Sequence, residues 1–119
     1  MEQVMMEWLG DLAQEAIQYG RAYAQALEEE QEPLKRRLLE RSMLDKQAQL
    51  RCLQQLGAVV TEMDADSSEP ISMKLLLYNE IENQAVYRSL ELCLGVNPHI
   101  QQICAKQQQI VQRLTAYLI

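Results

Sequence analysis

The sequence is poor in aromatic residues and in residues that interrupt regular structure. It has no phenylalanine, one tryptophan, one histidine, four glycines and three prolines among 119 residues. Sixteen glutamines, six methionines and many leucines and alanines, all of which favour helix, make up much of the remainder. We therefore predict an all-α protein, and the length suits a single helical domain over residues 1–119.

Long apolar runs and an excess of basic residues are also lacking. No stretch approaches the roughly 18 consecutive apolar residues that a membrane-spanning helix needs. The first residues, MEQVMMEWLGDLAQE, carry acids where a signal peptide carries bases. The net charge of −6 disfavours a nucleic-acid partner. These features predict a cytoplasmic protein without a membrane span.

Apolar residues repeat at helical spacing from about residue 2 to residue 30. Steps of three and four residues join Met5, Leu9, Leu12, Ala16, Tyr19, Tyr23 and Ala26. This register stops before Pro33, a residue tolerated in a first helical turn, so we predict a break there. One long helix kinked at Pro33 is the alternative, because Glu32 and Arg36 have the spacing of a helical ion pair.

The second helix is predicted over about 33–63, followed by a polar loop at 64–69. Its apolar row consists of Leu39, Met43, Leu50, Leu53 and Val60. Lys46 and Gly57 occupy the intervening positions of that row. The loop contains candidate N-cap residues ahead of Pro70, where the third helix is expected to begin.

The third helix, about 70–94, carries two rows of mostly apolar residues. One row contains Leu77, Ile81, Ala85, Ser89 and Leu92, and the other contains Leu76, Asn79, Asn83, Val86, Leu90 and Cys93. Gly95 suits a position just past a helix, Asn97 is a good N-cap, and Pro98 fits a first turn. We therefore predict a fourth helix over about 98–118.

Short connections predict that consecutive helices are antiparallel neighbours in an up-down bundle of four helices. Segments 1–32, 33–63, 64–96 and 97–119 have net charges of −7, +3, −4 and +2. This alternation favours a ring in which each helix packs beside the next in sequence. Long kinked hairpin arms, formed by the first two or the last two helices, are the alternative.

No catalytic, metal or cofactor site matches the sequence. A di-iron bundle needs a glutamate three residues before a histidine, and position 96, before His99, is valine. His99 and Cys104 project about 140° apart on a helix, so with Cys93 they make a poor zinc site. Haem ligation by His99 and an N-terminal methionine requires opposite ends of the bundle to meet. We predict no enzymatic activity and no cofactor, and we interpret the three cysteines, Cys52 included, as reduced core residues.

Several polar features could contribute to binding or to packing. Lys46 either packs its stem while its ammonium reaches water, or pairs with a carboxylate on the first helix and fixes the register. Asn79 and Asn83 form either a solvent-exposed edge or a groove that hydrogen-bonds a partner. The tyrosines are expected mostly in the core, and one with an exposed face would mark a binding groove. The acidic run at 28–32 is either a solvated loop or a binding site for a basic partner.

Two stretches resemble one protein family. Residues 26–57, ALEEEQEPLKRRLLERSMLDKQAQLRCLQQLG, resemble the front half of FlgN-type flagellar export chaperones, in which a lysine–glutamine step precedes regularly spaced leucines. Here Lys46 and Gln47 form that step. Residues 75–94, LLLYNEIENQAVYRSLELCL, are similar to the family's asparagine-containing third helix.

This resemblance implies a cytoplasmic chaperone for type III export in flagellum biogenesis. Its clients would be hook–filament junction proteins, bound through their C-terminal helical segments by an amphipathic helix laid in a groove. The candidate groove residues are Leu76, Asn79, Asn83, Val86, Tyr87 and Leu90.

We therefore expect a protein-binding bundle, either a chaperone or adaptor for a helical client. That hypothesis predicts an exposed apolar strip on the third helix of a monomer. The alternative is a structural or regulatory bundle that acts through self-association, with its apolar rows buried in a monomer or homodimer.

Overall fold

A computed structural model of the chain describes residues 3–60 and 72–118. The described residues form four α-helices: α1 (Gln3–Glu29), α2 (Pro33–Gln55), α3 (Met73–Leu94) and α4 (Pro98–Leu118). These helices pack together as a bundle, which confirms the predicted all-α class and four-helix architecture. Within these ranges no helix has the length and apolar character needed to cross a membrane.

The order of helices around the bundle differs from the sequence order. In the described part of the chain, the backbones that lie closest are α1 with α2, α2 with α4, and α3 with α4. On α2 and α4, Lys46 meets Gln107 while Gln49 meets Ile103, so these two helices are antiparallel. Because α3 also runs antiparallel to α4, α2 and α3 point in the same direction.

The prediction that each helix packs beside the next one is therefore wrong for α2 and α3. As a result, the two net-basic segments lie side by side and the expected alternation of charge around the ring is absent. Their repulsion is offset locally, because Asp45 on α2 pairs with Lys106 at 3.5 Å and with Arg113 at 3.0 Å on α4. Surface charge is a weak determinant of helix order, since exposed pairs contribute at most about 1 kcal/mol each.

The predicted break between the first two helices is confirmed, and the single kinked helix is wrong. Residues 30–32 are not helical, and Pro33 occupies the first turn of α2 after an extended Glu32. Arg36 does not pair with Glu32 as a helical neighbour. Instead its guanidinium donates to the carbonyl oxygens of Leu27, at 2.8 Å, and Glu30, at 2.7 Å. Arg36 thereby satisfies backbone acceptors that the end of α1 leaves unpaired.

Helix α2 ends at Gln55, which corrects the predicted end near residue 63. Gly57 has a φ of +112°, a conformation that glycine adopts without steric cost. The N–H of Gly57 donates to Gln54 at 3.0 Å and that of Ala58 donates to Leu53 at 2.9 Å. This pair of bonds is the Schellman motif, which closes a helix. Gly57 is therefore a helix stop and not a member of an apolar row.

The boundaries of α3 and α4 are set by side-chain caps. Ser72 is extended and its hydroxyl accepts from the N–H of Leu75 at 3.2 Å, so α3 begins at Met73. The predicted start near 70 and the loop at 64–69 lie outside the described residues. The predicted end of α3 is confirmed, because Gly95 has a φ of +73°. Asn97 accepts from the N–H of His99 at 2.8 Å and caps α4, as expected.

The interior consists of apolar clusters on either side of buried polar side chains, among them Lys46, Glu80 and Gln107. The cluster beside the first turns of α1 includes Leu9, Leu12, Leu53, Leu90, Ile100 and Ile103. The clusters at the opposite end include Ala22, Leu39, Leu76, Ile110 and Leu114. Burial of each large aliphatic side chain stabilises the fold by roughly 1.5–3 kcal/mol, so these clusters hold the bundle together.

Candidate functional site

Helix α3 carries apolar residues on the face that points away from the bundle. Leu75, Tyr78, Ile81 and Leu92 are all exposed, Tyr78 by 60% and Leu92 by 86% of its surface. We call these four residues the outer strip. At 1.5 Å per residue Leu75, Tyr78 and Ile81 extend for about 9 Å along the helix. Leu92 lies about 17 Å further on, beyond the exposed Arg88 and Ser89. Single exposed apolar residues are common on proteins, whereas a row of them marks a candidate binding surface.

The opposite, inner face of α3 is buried and partly polar. Its buried residues are Leu76, Glu80, Asn83, Tyr87 and Leu90. An amphipathic helix normally buries its apolar face and exposes its charges. Here a glutamate and an asparagine lie inside, while leucine, tyrosine and isoleucine lie outside.

A buried ion pair anchors the inner face of α3 to α2. The ammonium of Lys46 lies 2.6 Å from a carboxylate oxygen of Glu80, and their side chains are 0% and 1% exposed. The same ammonium lies 5.1 Å from the ring centre of Tyr19 and 5.8 Å from that of Tyr87, within cation–π range. Burial lowers the pKa of Lys46, and the nearby Glu80 carboxylate opposes that change.

Hydrogen bonds extend this pair into a layer that joins all four helices. Tyr23 on α1 donates its hydroxyl to Glu80 at 2.7 Å. Gln107 on α4 donates to the backbone oxygen of Glu80 at 2.8 Å and to its carboxylate at 3.1 Å. The Gln107 side-chain oxygen accepts from Lys46 at 3.0 Å and from Gln49 at 2.9 Å. We call Tyr23, Lys46, Gln49, Glu80 and Gln107 the polar layer.

The polar layer is buried and its charges are paired, so its arrangement specifies helix packing. Moving any of the four helices along its axis would leave a charge or an amide without its partner, which costs free energy in a low-dielectric interior. Burial and the adjacent Glu80 also raise the pKa of Tyr23. The phenol is therefore held in its protonated, hydrogen-bond-donating form.

Three buried polar atoms around the layer have no hydrogen-bond partner among residues 3–60 and 72–118. They are the side-chain oxygen of Gln49, the side-chain nitrogen of Asn83 and the hydroxyl of Tyr87. An unpaired buried donor or acceptor costs about 1–3 kcal/mol. The middle of the bundle, around the polar side chains, is thus less favourable than the apolar clusters at either end.

The residues predicted to bind a partner lie mainly on the inner face. Leu76, Asn83, Tyr87 and Leu90 are buried in the core, and Asn79 and Val86 are half-buried. Four of the six therefore present no surface to a partner in this structure. The exposed strip expected on the third helix is present, but Leu75, Tyr78, Ile81 and Leu92 form it, and none of them is among the six predicted groove residues.

Other polar features differ from their sequence-based interpretations. The ammonium of Lys46 does not reach water, and its carboxylate partner lies on α3 and not on α1. Asn83 is buried and so is not part of a solvent edge. Tyr23 and Tyr87 are core residues, as expected, whereas Tyr78 has the exposed face that would mark a binding surface.

The cysteines and the histidine do not form a common site in the described part of the chain. Cys52 is buried as predicted, Cys104 is half-buried, and Cys93 is exposed, which corrects its assignment to the core. His99 lies half-buried in the first turn of α4. Across residues 3–60 and 72–118, no group of three or more potential ligand residues is arranged to hold a metal ion.

Comparison with known proteins gives no relative. No protein-family model, no curated protein and no solved structure matches the chain. The likeness to FlgN-type chaperones therefore remains a prediction from the sequence.

Proposed function

We propose that this protein is a non-enzymatic binding bundle that acts as a chaperone or adaptor. Its ligand would be an amphipathic helix of another protein, packed along the outer strip of α3. The observation that carries this proposal is the exposure of Leu75, Tyr78, Ile81 and Leu92 on one face of a helix whose other face is already buried.

The outer strip has the dimensions that helix-on-helix recognition requires. Leu75, Tyr78 and Ile81 follow one another at three-residue intervals, so a partner helix can place its own apolar residues between them. Tyr78 supplies a large, partly polar surface of the kind enriched at protein interfaces. The buried polar layer fixes the opposite face of α3, so the strip is presented on a positioned helix.

The sequence resemblance suggests the class of client. FlgN-type chaperones serve type III export in flagellum biogenesis, so hook–filament junction proteins are the first clients to test. The bound element would be a C-terminal helical segment, and binding would take place in the cytoplasm.

The proposal is tested by calorimetric titration with C-terminal segments of junction proteins from the native host. A strip variant would combine Leu75→Ser, Tyr78→Ser and Ile81→Ser. The matched control removes three other exposed apolar side chains through Val4→Ser, Leu44→Ser and Val59→Ser. We expect wild type and control to bind with similar affinity and the strip variant to bind at least about tenfold more weakly, as loss of central apolar contacts implies.

Two outcomes would change the proposal in different ways. If junction segments fail to bind but a different helical client is captured and loses affinity in the strip variant, the flagellar assignment is wrong and the binding function stands. If strip and control variants lose affinity equally, the outer strip is not the binding site.

Self-association through the same strip is the competing function. A two-fold pair of α3 helices would bury both strips and leave no client surface. Light scattering at increasing protein concentration separates the two cases. A monomer supports client binding, whereas a dimer that the strip variant dissociates supports a structural or regulatory bundle.

A further inference from the structure

A groove with an apolar floor and an arginine rim lies between α2 and α4. Its apolar lining consists of Leu38, which is buried, and Leu34, which is 64% exposed, and Arg37, Arg41 and Arg113 complete the lining. Its volume is about 310 Å³, enough for a large apolar side chain and part of the adjoining backbone. The groove is formed by helices other than α3, so it is separate from the outer strip.

The basic residues of α2 differ in what they contact. Lys35 pairs with Glu30 at 3.4 Å, Arg36 caps α1, and Lys46 is buried in the polar layer. Arg37 and Arg41 are exposed, and neither makes an ion pair or hydrogen bond within residues 3–60 and 72–118. Their charges are therefore available to a ligand.

The third arginine of the rim is held in place. Arg113 donates to the hydroxyl of Ser42 at 3.1 Å and to the carboxylate of Asp45 at 3.0 Å. These bonds fix its guanidinium against α2 and partly neutralise it. Arg37 and Arg41 lie one helical turn apart on the same side of α2, so two cationic groups face the same stretch of groove.

Arg37 and Arg41, which have no partner in the described part of the chain, lie where the two net-basic segments meet, although the chain as a whole carries a net charge of −6. An extended polyanion such as nucleic acid would be repelled by the negative charge of the rest of the protein. A free phosphate would make no use of the leucine floor. A short segment with carboxylates beside an apolar residue matches both the rim and the floor.

We propose that this groove binds an acidic amphipathic helical segment of a partner protein. A leucine-sized side chain of the segment enters between Leu34 and Leu38. Carboxylates one turn apart on the segment bind Arg37 and Arg41, whose planar guanidinium groups can each donate two parallel hydrogen bonds to a carboxylate. The groove thus recognises charge as well as apolar surface, whereas the outer strip recognises apolar surface alone.

Fluorescence anisotropy tests the groove with a labelled synthetic helix that has leucines at helical spacing flanked by glutamates. The groove variant combines Arg37→Gln and Arg41→Gln. Arg51→Gln is the control, because Arg51 is an exposed arginine of the same helix that does not line the groove. We expect the groove variant to bind about three- to tenfold more weakly, as loss of two exposed ion pairs implies. We expect the control to bind like wild type, and added salt to weaken binding.

Several results would overturn the proposal. The first is that the acidic peptide does not bind to wild type. The second is that a peptide with glutamine in place of glutamate binds with the same affinity. The third is that the Arg51→Gln control loses as much affinity as the groove variant. The strip variant of α3 should bind the acidic peptide as wild type does, since the two surfaces are separate. Loss in that variant would place the peptide on α3 and overturn the assignment to the groove. Failure of junction segments to bind the strip would leave this test unaffected.

Discussion

Each face of α3 departs from the usual helix pattern, in which apolar residues lie inside and charged residues lie outside. The inner face buries Glu80, Asn83 and Tyr87, and the outer face exposes Leu75, Tyr78 and Ile81. Charge is tolerated inside because Lys46, Tyr23 and Gln107 supply partners for Glu80. The apolar side chains of the outer face are not covered by other residues of the described chain. The comparison suggests that the inner face specifies how α3 packs and that the outer face is available for a partner.

The two faces should therefore respond to mutation in opposite ways. Changes to the polar layer should alter stability, and changes to the outer strip should alter binding while leaving stability almost unchanged.

Removal of Glu80 should have the largest effect on stability. Glu80→Ala leaves the ammonium of Lys46 buried without a carboxylate, which costs about 3–5 kcal/mol of unfolding free energy. Urea denaturation followed by circular dichroism measures the loss. Glu82→Ala is the control, because Glu82 is exposed on the same helix and its replacement should change stability by less than about 0.5 kcal/mol. Similar losses in both variants would contradict a stabilising role for the pair.

Removal of both charges should cost less than removal of Glu80 alone. The double variant Lys46→Met with Glu80→Leu leaves no buried charge, but it leaves Tyr23 without its carboxylate acceptor and Gln107 with only the backbone oxygen of residue 80. We therefore expect a loss of about 1–3 kcal/mol, smaller than that of Glu80→Ala. A double-mutant cycle that gives no coupling between positions 46 and 80 would show that the two charges do not interact in solution.

Alkaline pH should destabilise the fold through the tyrosines of the interior. Burial and nearby carboxylates raise the pKa of Tyr19 from 10.0 to about 12, and burial also raises the pKa of Tyr23 and Tyr87. The folded state then holds phenol protons that the unfolded state has lost, so stability falls as pH rises from 10 towards 12. Lys46, whose pKa is lowered, contributes in the opposite direction below its ordinary value of 10.5.

Thermal unfolding across this pH range, with phenolate absorbance recorded in parallel, measures the alkaline effect. Tyr19→Phe should reduce the loss of stability relative to wild type. A Tyr19→Phe profile that follows wild type would show that folding does not raise the pKa of this phenol.

Substitution on the outer strip should have the smallest effect on stability. Tyr78→Ser removes a largely exposed side chain, so the unfolding free energy should change by less than about 0.5 kcal/mol. Denaturant titration checks this. A loss above about 2 kcal/mol would mean that the ring is packed against the protein in solution and that the strip is not open.

The sequence was sufficient for boundaries that depend on local chemistry. The succession of Gly95, Asn97 and Pro98 specifies a helix end, a cap and a new first turn without reference to the rest of the fold. Gly57 was harder to interpret, because it falls at a position of the apolar row of the second helix. Only the hydrogen bonds of the turn show that it ends that helix.

The face of α3 could not be chosen from periodicity, because both of its rows are mostly apolar. One row carries Ile81 and Leu92 and the other carries Asn83 and Leu90, so hydrophobicity favours neither strongly. The deciding interaction is the pairing of Glu80 with Lys46, which depends on the order of helices around the bundle. That order is a property of tertiary packing, and short connections suggested a different one. The groove beside Arg37 depends on the same order, since α4 forms its second wall.

The binding role of the outer face of α3 is decided by the affinity of a helical client for the strip variant relative to the control variant. Both variants lose three exposed apolar side chains, and only the first loses those of α3. We expect a tenfold or greater loss of affinity in the strip variant alone, with unfolding free energies of both close to wild type. Equal affinities in the two variants would contradict the assignment of the outer face of α3 as the binding surface.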